Sequence, residues 1–208
     1  MTTAGAYIRF HYVFDYVSNL TIRLYPIHLL LSYARLGDVK IYITGISGTG
    51  KSSIVRELHA HAVPAYDLDD GFCHWKHRES GEKVTWEPGR SDEWYDAHGW
   101  ICNVDELKRV LAGHDTVVVV GVSSNQDEYL PLFDKVFVLL SRPETVIARI
   151  NARTDNEYGK HPVEQKRLLN WQKDYEDEMV RKGAIPLDGE RDIGDVVNDI
   201  IAYIGRTS

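Results

Sequence analysis

The octapeptide Gly45-Ile46-Ser47-Gly48-Thr49-Gly50-Lys51-Ser52 satisfies G-x-x-x-x-G-K-[ST] in full, and a chain carrying it has few ways to fold. The pattern works only when a strand precedes it and a helix follows. Its glycines allow backbone conformations that side chains block. Successive N–H groups can then turn inward as a nest for a phosphate. Lys51 adds a charge that reaches the β and γ oxygens, and Ser52 offers a hydroxyl to Mg²⁺. The helix that follows aims its positive end at the same phosphates. The expected nucleotide-binding loop therefore runs from Gly45 through Ser53.

The flanks agree. Val39 to Thr44 is a short β-branched run that predicts a strand, and Ser53 to Ala62 predicts a helix with Ile54, Val55 and Leu58 on one face. Further along, Asn103 with Glu106 has capping-box form. It opens a helix that places Leu107, Val110 and Leu111 inward. Thr116 to Gly121 is a continuous apolar run, as in a strand buried on both faces. Lys135 to Leu140 predicts another strand, Ser141-Arg142-Pro143 a helix start, Val163 to Lys182 a long helix with Leu168, Leu169, Trp171 and Tyr175 as apolar contacts, Ala184 to Leu187 a fifth strand, and Ile193 to Ile204 a closing helix.

Val63 to Asp70 reads as a short strand ending in carboxylates. Alternation puts Asp67 and Asp69 on one face and Asp70 on the other. The carboxyl end of such a strand lies beside the phosphate site, where two carboxylates suit Mg²⁺ ligation and proton abstraction from a hydroxyl. The Thr116–Gly121 run lacks the terminal Asp of a standard Walker B strand, which leaves Asp67 as the main protein carboxylate for the metal. Ser123, Ser124 and Asn125 follow that run as candidates for orienting a substrate.

Residues 71–103 form an insertion dense in aromatics (Phe72, Trp75, Trp86, Trp94, Tyr95, Trp100), with a short helix expected over Ser91 to Gly99. Most of these rings are expected to form a small satellite core. Cys73, His74 and His77 lack the second ligand pair of a zinc site. Two readings stand open for residues 1–38: an extra amphipathic helix around Leu20 to Leu36, or a start placed upstream of the true one at Val39.

The chain of 208 residues has a net charge of -7, with no basic block to serve a nucleic acid. Leu20 to Leu36, its most apolar stretch, is broken by Arg23, Pro26, His28 and Arg35, so no membrane span is expected. Two cysteines far apart in sequence indicate no disulfide framework and fit a reducing cytoplasm. Oligomeric state is not legible.

Residues 39–204 resemble the P-loop small-molecule kinases: nucleoside-monophosphate, shikimate and gluconate kinases. The resemblance rests on the Gly45–Ser52 loop, on Asp67-Leu68-Asp69 where shikimate kinases carry Asp-x-Asp, on Arg149-Ile150-Asn151-Ala152-Arg153, which resembles the helix entering the adenylate-kinase lid, and on Leu187-Asp188-Gly189, similar to their adenine-side loop. It implies a three-layer α/β P-loop NTPase fold with a five-stranded parallel sheet, order 2-3-1-4-5, and helices on both faces. It also implies an ATP- and Mg²⁺-dependent kinase of a small-molecule acceptor. Arg149 would lie near the adenine or phosphates, and Arg153, in a lid over 153–162, would neutralise the transferring phosphoryl group beside Lys51 and Asp69. The alternative is a regulatory ATP-binding protein or ATPase without an acceptor, kept open by the missing Walker B Asp. An RNA-end kinase would want a basic groove, and a GTPase would want an Asn-Lys-x-Asp motif.

Overall fold

The computed structural model describes residues 38–206, and both readings of the N-terminal extension lie outside the described residues. β1 (Val39–Thr44) leads through the Gly-rich loop into α1 (Lys51–Ala60), followed by β2 (Ala65–Asp67). β3 (Cys73–His77), α2 (Asp92–Ala97) and β4 (His98–Cys102) form a small unit of their own. Then come α3 (Val104–Ala112), β5 (Thr116–Val120), two single 3₁₀ turns, β6 (Lys135–Leu140), α4 (Pro143–Ala152), α5 (Pro162–Arg181), β7 (Ile185–Asp188) and α6 (Ile193–Arg206).

Five strands make one parallel sheet in the order β2-β5-β1-β6-β7. Counted along the chain among themselves, they run 2-3-1-4-5, as expected. Parallel neighbours need long crossovers, and the helices supply them. The central strands β1 and β5 are almost wholly buried, which explains why they read as continuous apolar runs rather than alternating ones. Register places Tyr42 beside Val119 and Ile41 beside Val118, so the two faces differ. Tyr42, Val117 and Val119 pack under Leu107 and Leu111 of α3. Val138 packs under α4 and α5 through Val146, Ile150, Leu168 and Tyr175. On the opposite face α1 lies against α6 and β5, and Phe137 meets Tyr203 edge-on at 5.5 Å. Each fully buried Ile or Leu contributes about 1.5–3 kcal/mol.

The second sheet was not foreseen. β3 and β4 pair antiparallel with Cys73 opposite Cys102, Trp75 opposite Trp100 and His77 opposite His98. These cross-strand pairs stack on one face, with Trp75–Trp100 centroids 5.6 Å and His77–His98 centroids 5.1 Å apart. The two cysteines, distant in sequence, are thus neighbours, both buried and free. The Asn125 side chain fastens this sheet to the end of β5: its Oδ1 accepts from Cys102 N (2.9 Å), and its Nδ2 donates to Cys102 O (3.1 Å).

On α5 the apolar reading divides. Leu168 and Tyr175 are buried, but Leu169 and Trp171 are 38% and 41% exposed. No helix among the described residues is long and apolar enough to cross a membrane.

Candidate active site

The loop between β1 and α1 takes the shape its glycines permit. Gly48 adopts φ 89°, and a Cβ there would stand 2.8 Å from the Val146 carbonyl. Any other residue would push α4 off the loop. Thr49 is held inward by its hydroxyl, which donates to Ile46 O at 2.9 Å. Lys51, 8% exposed, folds back over the loop and donates from Nζ to Gly45 O (2.7 Å) and Ile46 O (2.9 Å). Burial lowers its pKa, while the charges of Asp69 and Asp67 pull it back up.

β2 stops at Asp67, so Asp69 lies in the turn after the strand and not on it. The turn is built by Asp67 itself, whose Oδ1 accepts from Asp69 N at 3.1 Å and whose backbone carbonyl accepts from Asp70 N at 3.0 Å. Asp67 Oδ2 accepts from the Ser52 hydroxyl at 2.8 Å. Asp69 Oδ1 accepts from Trp100 Nε1 at 3.0 Å. Strand alternation therefore does not separate the acids as expected: Asp70, exposed, sits at the rim of the same cavity as Asp67 and Asp69. Asp69 is open to the cavity but crowded by its walls. That crowding raises its pKa first, and the Asp67 charge adds to it; Lys51 and the Trp100 hydrogen bond oppose.

Asp67 stands level with Val120 at the end of β5. The next residue, Gly121, has φ 151°, and a Cβ there would lie 2.6 Å from Leu68 Cβ. No side chain fits at 121, so the carboxylate at this level of the sheet comes from β2. The Ser52 hydroxyl and Asp67 carboxylate are adjacent hard oxygen donors, the set that Mg²⁺ takes together with phosphate oxygens and water. Among the described residues no three His, Cys, Asp or Glu side chains cluster tightly enough to hold a metal themselves.

Arg149 bridges the Gly45–Ser52 loop to the β7–α6 loop, donating from Nη1 to Thr49 O (3.3 Å) and from Nη2 to Gly189 O (2.9 Å). Arg153 lies just past the end of α4, in extended conformation. It donates from Nε to Asn156 O (3.1 Å) and from Nη2 to Tyr158 O. The two arginines are therefore not on one helical face, yet both line the same cavity.

Two cavities meet here. One, about 880 Å³, runs along the loop from Gly48 to Ser53 past Asp67, Arg149 and Arg153 to Gly189 and Arg191. The other, about 400 Å³, is walled by Trp75, Trp86, Trp100, Tyr158 and Trp171, with Ser123 and Ser124 at one side. Lys51 and Asp69 line both. Ser47 lines the aromatic cavity; Gly45 and Ile46 contribute the carbonyls that hold Lys51. Reading the sequence missed Tyr158 and Trp171 as cavity walls and missed Arg191. Their signal is three-dimensional only.

A family model described as AAA domain matches residues 41–170, more than half of the chain. The chain belongs to the AAA domain family. Among solved structures it is similar to a shikimate kinase from Acinetobacter baumannii in complex with shikimate, with TM-score 0.56 and 16% identity over 85% of this chain and 98% of that one. It is also similar to a deoxyadenosine kinase from M. mycoides with dCMP and a flexible dCDP bound, with TM-score 0.50 and 16% identity over 80% of this chain and 99% of that one. This AAA domain thus has the fold of the P-loop small-molecule kinases. No curated protein matches the sequence.

One buried acid ties the site together. Glu164, fully buried, accepts from Gly89 N (2.9 Å) and the Tyr95 hydroxyl (3.0 Å) at Oε1, and from Gly159 N (2.7 Å) at Oε2. It joins the 71–103 segment to the 153–162 loop. Glu164→Gln puts an amide N–H against one of these donors. Each buried donor left unpaired costs about 1–3 kcal/mol, which lowers Tm by roughly 2–4 °C per kcal/mol in a domain of this size. Thermal unfolding checks this, and an unchanged Tm would show that the three bonds are dispensable.

Proposed function

We propose that this AAA domain is an ATP- and Mg²⁺-dependent kinase that phosphorylates a hydroxyl of a small molecule. One observation carries the reading: Lys51 and Asp69 stand where the phosphate cavity and the aromatic cavity join. A carboxylate at such a junction can take a proton from an acceptor hydroxyl held in the second cavity. That oxygen forms a bond to the γ-phosphorus as the bond from phosphorus to the β–γ bridging oxygen breaks and ADP leaves. Trp100 fixes Oδ1 of Asp69 and leaves Oδ2 for the proton. Lys51 moves from the loop carbonyls to the phosphate oxygens. Ser52 and Asp67 would hold Mg²⁺, which would supply charge neutralisation at the phosphates. Asp67→Asn is expected to raise the Mg²⁺ concentration for half-maximal rate; an unchanged Mg²⁺ titration would remove Asp67 from the metal site.

Arg153 already reaches the phosphate cavity while two of its nitrogens hold the 153–162 loop. We expect this loop to act as a lid. Arg153→Ala should lower kcat by about 10²-fold while ATP affinity changes little, because its charge matters most as charge redistributes in the transition state. A loss confined to ATP affinity would reassign it to ground-state binding.

The absence of a carboxylate at the end of β5 keeps a second reading, an ATP-binding or ATPase protein with no acceptor. A coupled ADP-release screen over nucleosides, nucleotides, sugar acids and shikimate separates the two. Release that depends on one acceptor supports the kinase, and release indifferent to every acceptor supports the second reading.

A further inference from the structure

The aromatic cavity selects by charge as well as by shape. Five of its walls are the rings of Trp75, Trp86, Trp100, Tyr158 and Trp171. Among the described residues Lys51 is the one basic side chain that lines it, and its Nζ is bonded to Gly45 O and Ile46 O. No arginine lines it, so an anionic acceptor finds no fork of donors, the arrangement by which proteins grip carboxylates and phosphates. The adjoining outer chamber, about 710 Å³, does contain cations. Arg167 there is paired with Asp92 and Asp96 (2.7 and 2.8 Å), and Lys182 with Asp127 and Glu178 (both 2.6 Å); Arg78, whose Nε donates to Asp96 O (3.1 Å), and Lys166 line the same chamber outside the aromatic walls. An organic cation gains little too, since the Lys51 ammonium offsets the Asp69 carboxylate in the same cavity.

What remains favourable is a neutral flat ring. Large rings stack on aromatic walls at little entropic cost, and Ser124 and Asn156 at the wall can meet polar ring edges. Asp69 then receives the hydroxyl. We propose that the acceptor is an uncharged alcohol bearing a flat aromatic or heteroaromatic ring, of the nucleoside type, rather than a sugar acid or a phosphate ester. This rests on the kinase reading above and narrows it.

Every tryptophan of the chain lies within residues 75–171, and four of the five wall this cavity. Intrinsic fluorescence of the full chain therefore reports acceptor binding without any turnover. Six probes of four classes are titrated: adenosine and cytidine as neutral ring alcohols, AMP as the phosphate ester, shikimate and gluconate as acids, and choline as the cation. ADP release is measured in parallel. A saturable change with a nucleoside, weakened at least 10-fold by the added phosphate, and matching ADP release support the proposal. Trp171→Ala removes a half-exposed wall, so the fold is spared. It should weaken nucleoside binding by roughly 10-fold, within the range for loss of one stacking partner, and leave the ATP KM in place. Arg78→Ala, in the outer chamber, should change neither.

Preferred binding and phosphorylation of an acid, a phosphate ester or choline overturns the acceptor class while the kinase stands. So does loss of acceptor turnover in Arg78→Ala, which would mark Arg78 as an anion anchor. If no probe changes the fluorescence and none stimulates ADP release, the kinase reading falls and this inference falls with it.

Discussion

Asp69→Asn is expected to abolish most acceptor-dependent turnover, by about 10²–10⁴-fold, the usual contribution of a positioned general base. ATP binding should survive. The substitution is nearly isosteric, and its carbonyl oxygen can keep the Trp100 N–H bond of 3.0 Å. What it loses is the oxygen that takes the proton. The pH profile supplies a second check. Crowding and the Asp67 charge raise the pKa of Asp69, and the base works only when ionised. Turnover therefore rises with pH along an acid limb that lies above the ordinary Asp value of about 3.9, and that limb disappears in Asp69→Asn. Asp70→Asn, at the exposed rim, serves as the comparison and should do little. Full turnover in Asp69→Asn, or greater damage from Asp70→Asn, would show that the base is assigned to the wrong residue.

Lys51→Ala should reduce turnover by about 10²–10³-fold, the loss seen when one preorganised donor to developing charge is removed, and should weaken ATP binding as well. Among the described residues the neighbouring arginines are already engaged. Arg149 is bound to Thr49 O and Gly189 O, and Arg153 holds its own loop. The fold should persist, because α1 starts at Lys51 through backbone bonds, with Ser53 N and Ile54 N donating to Gly50 O. Labelled-ATP titration, steady-state kinetics and a melting curve on one preparation decide it. Wild-type binding and turnover in a folded variant would remove the nucleotide role of the loop.

Much of this was legible from the sequence, and the legible parts share a property. The Gly45–Ser52 loop is a local motif: each residue acts on the backbone within a few positions of itself. The Asn103 cap behaves the same way, its side chain accepting from Glu106 N at 3.3 Å. The parallel sheet was legible because Val117–Val120 is an unbroken apolar run, and only strands buried on both faces need that. The strand order followed from the resemblance these features carry.

The small sheet was hidden because Cys73–His77 and His98–Cys102 mix aromatic, polar and glycine positions. Their stability comes from each other and from Asn125, across a long stretch of chain. Trp171 looked like a core residue by helical spacing. Only the placement of α5 against the β3–β4 unit makes it a cavity wall. Glu164 carries no signal in the sequence, because its role depends on two other segments that bring three donors to it.

The sequence by itself determined the glycine-rich loop and the sheet that carries it, since both follow from short-range backbone chemistry and from uninterrupted apolar runs. Only the tertiary structure decided where Asp69 stands, what surrounds it and which rings face it. Those depend on contacts between segments far apart in the chain, and no local pattern encodes them.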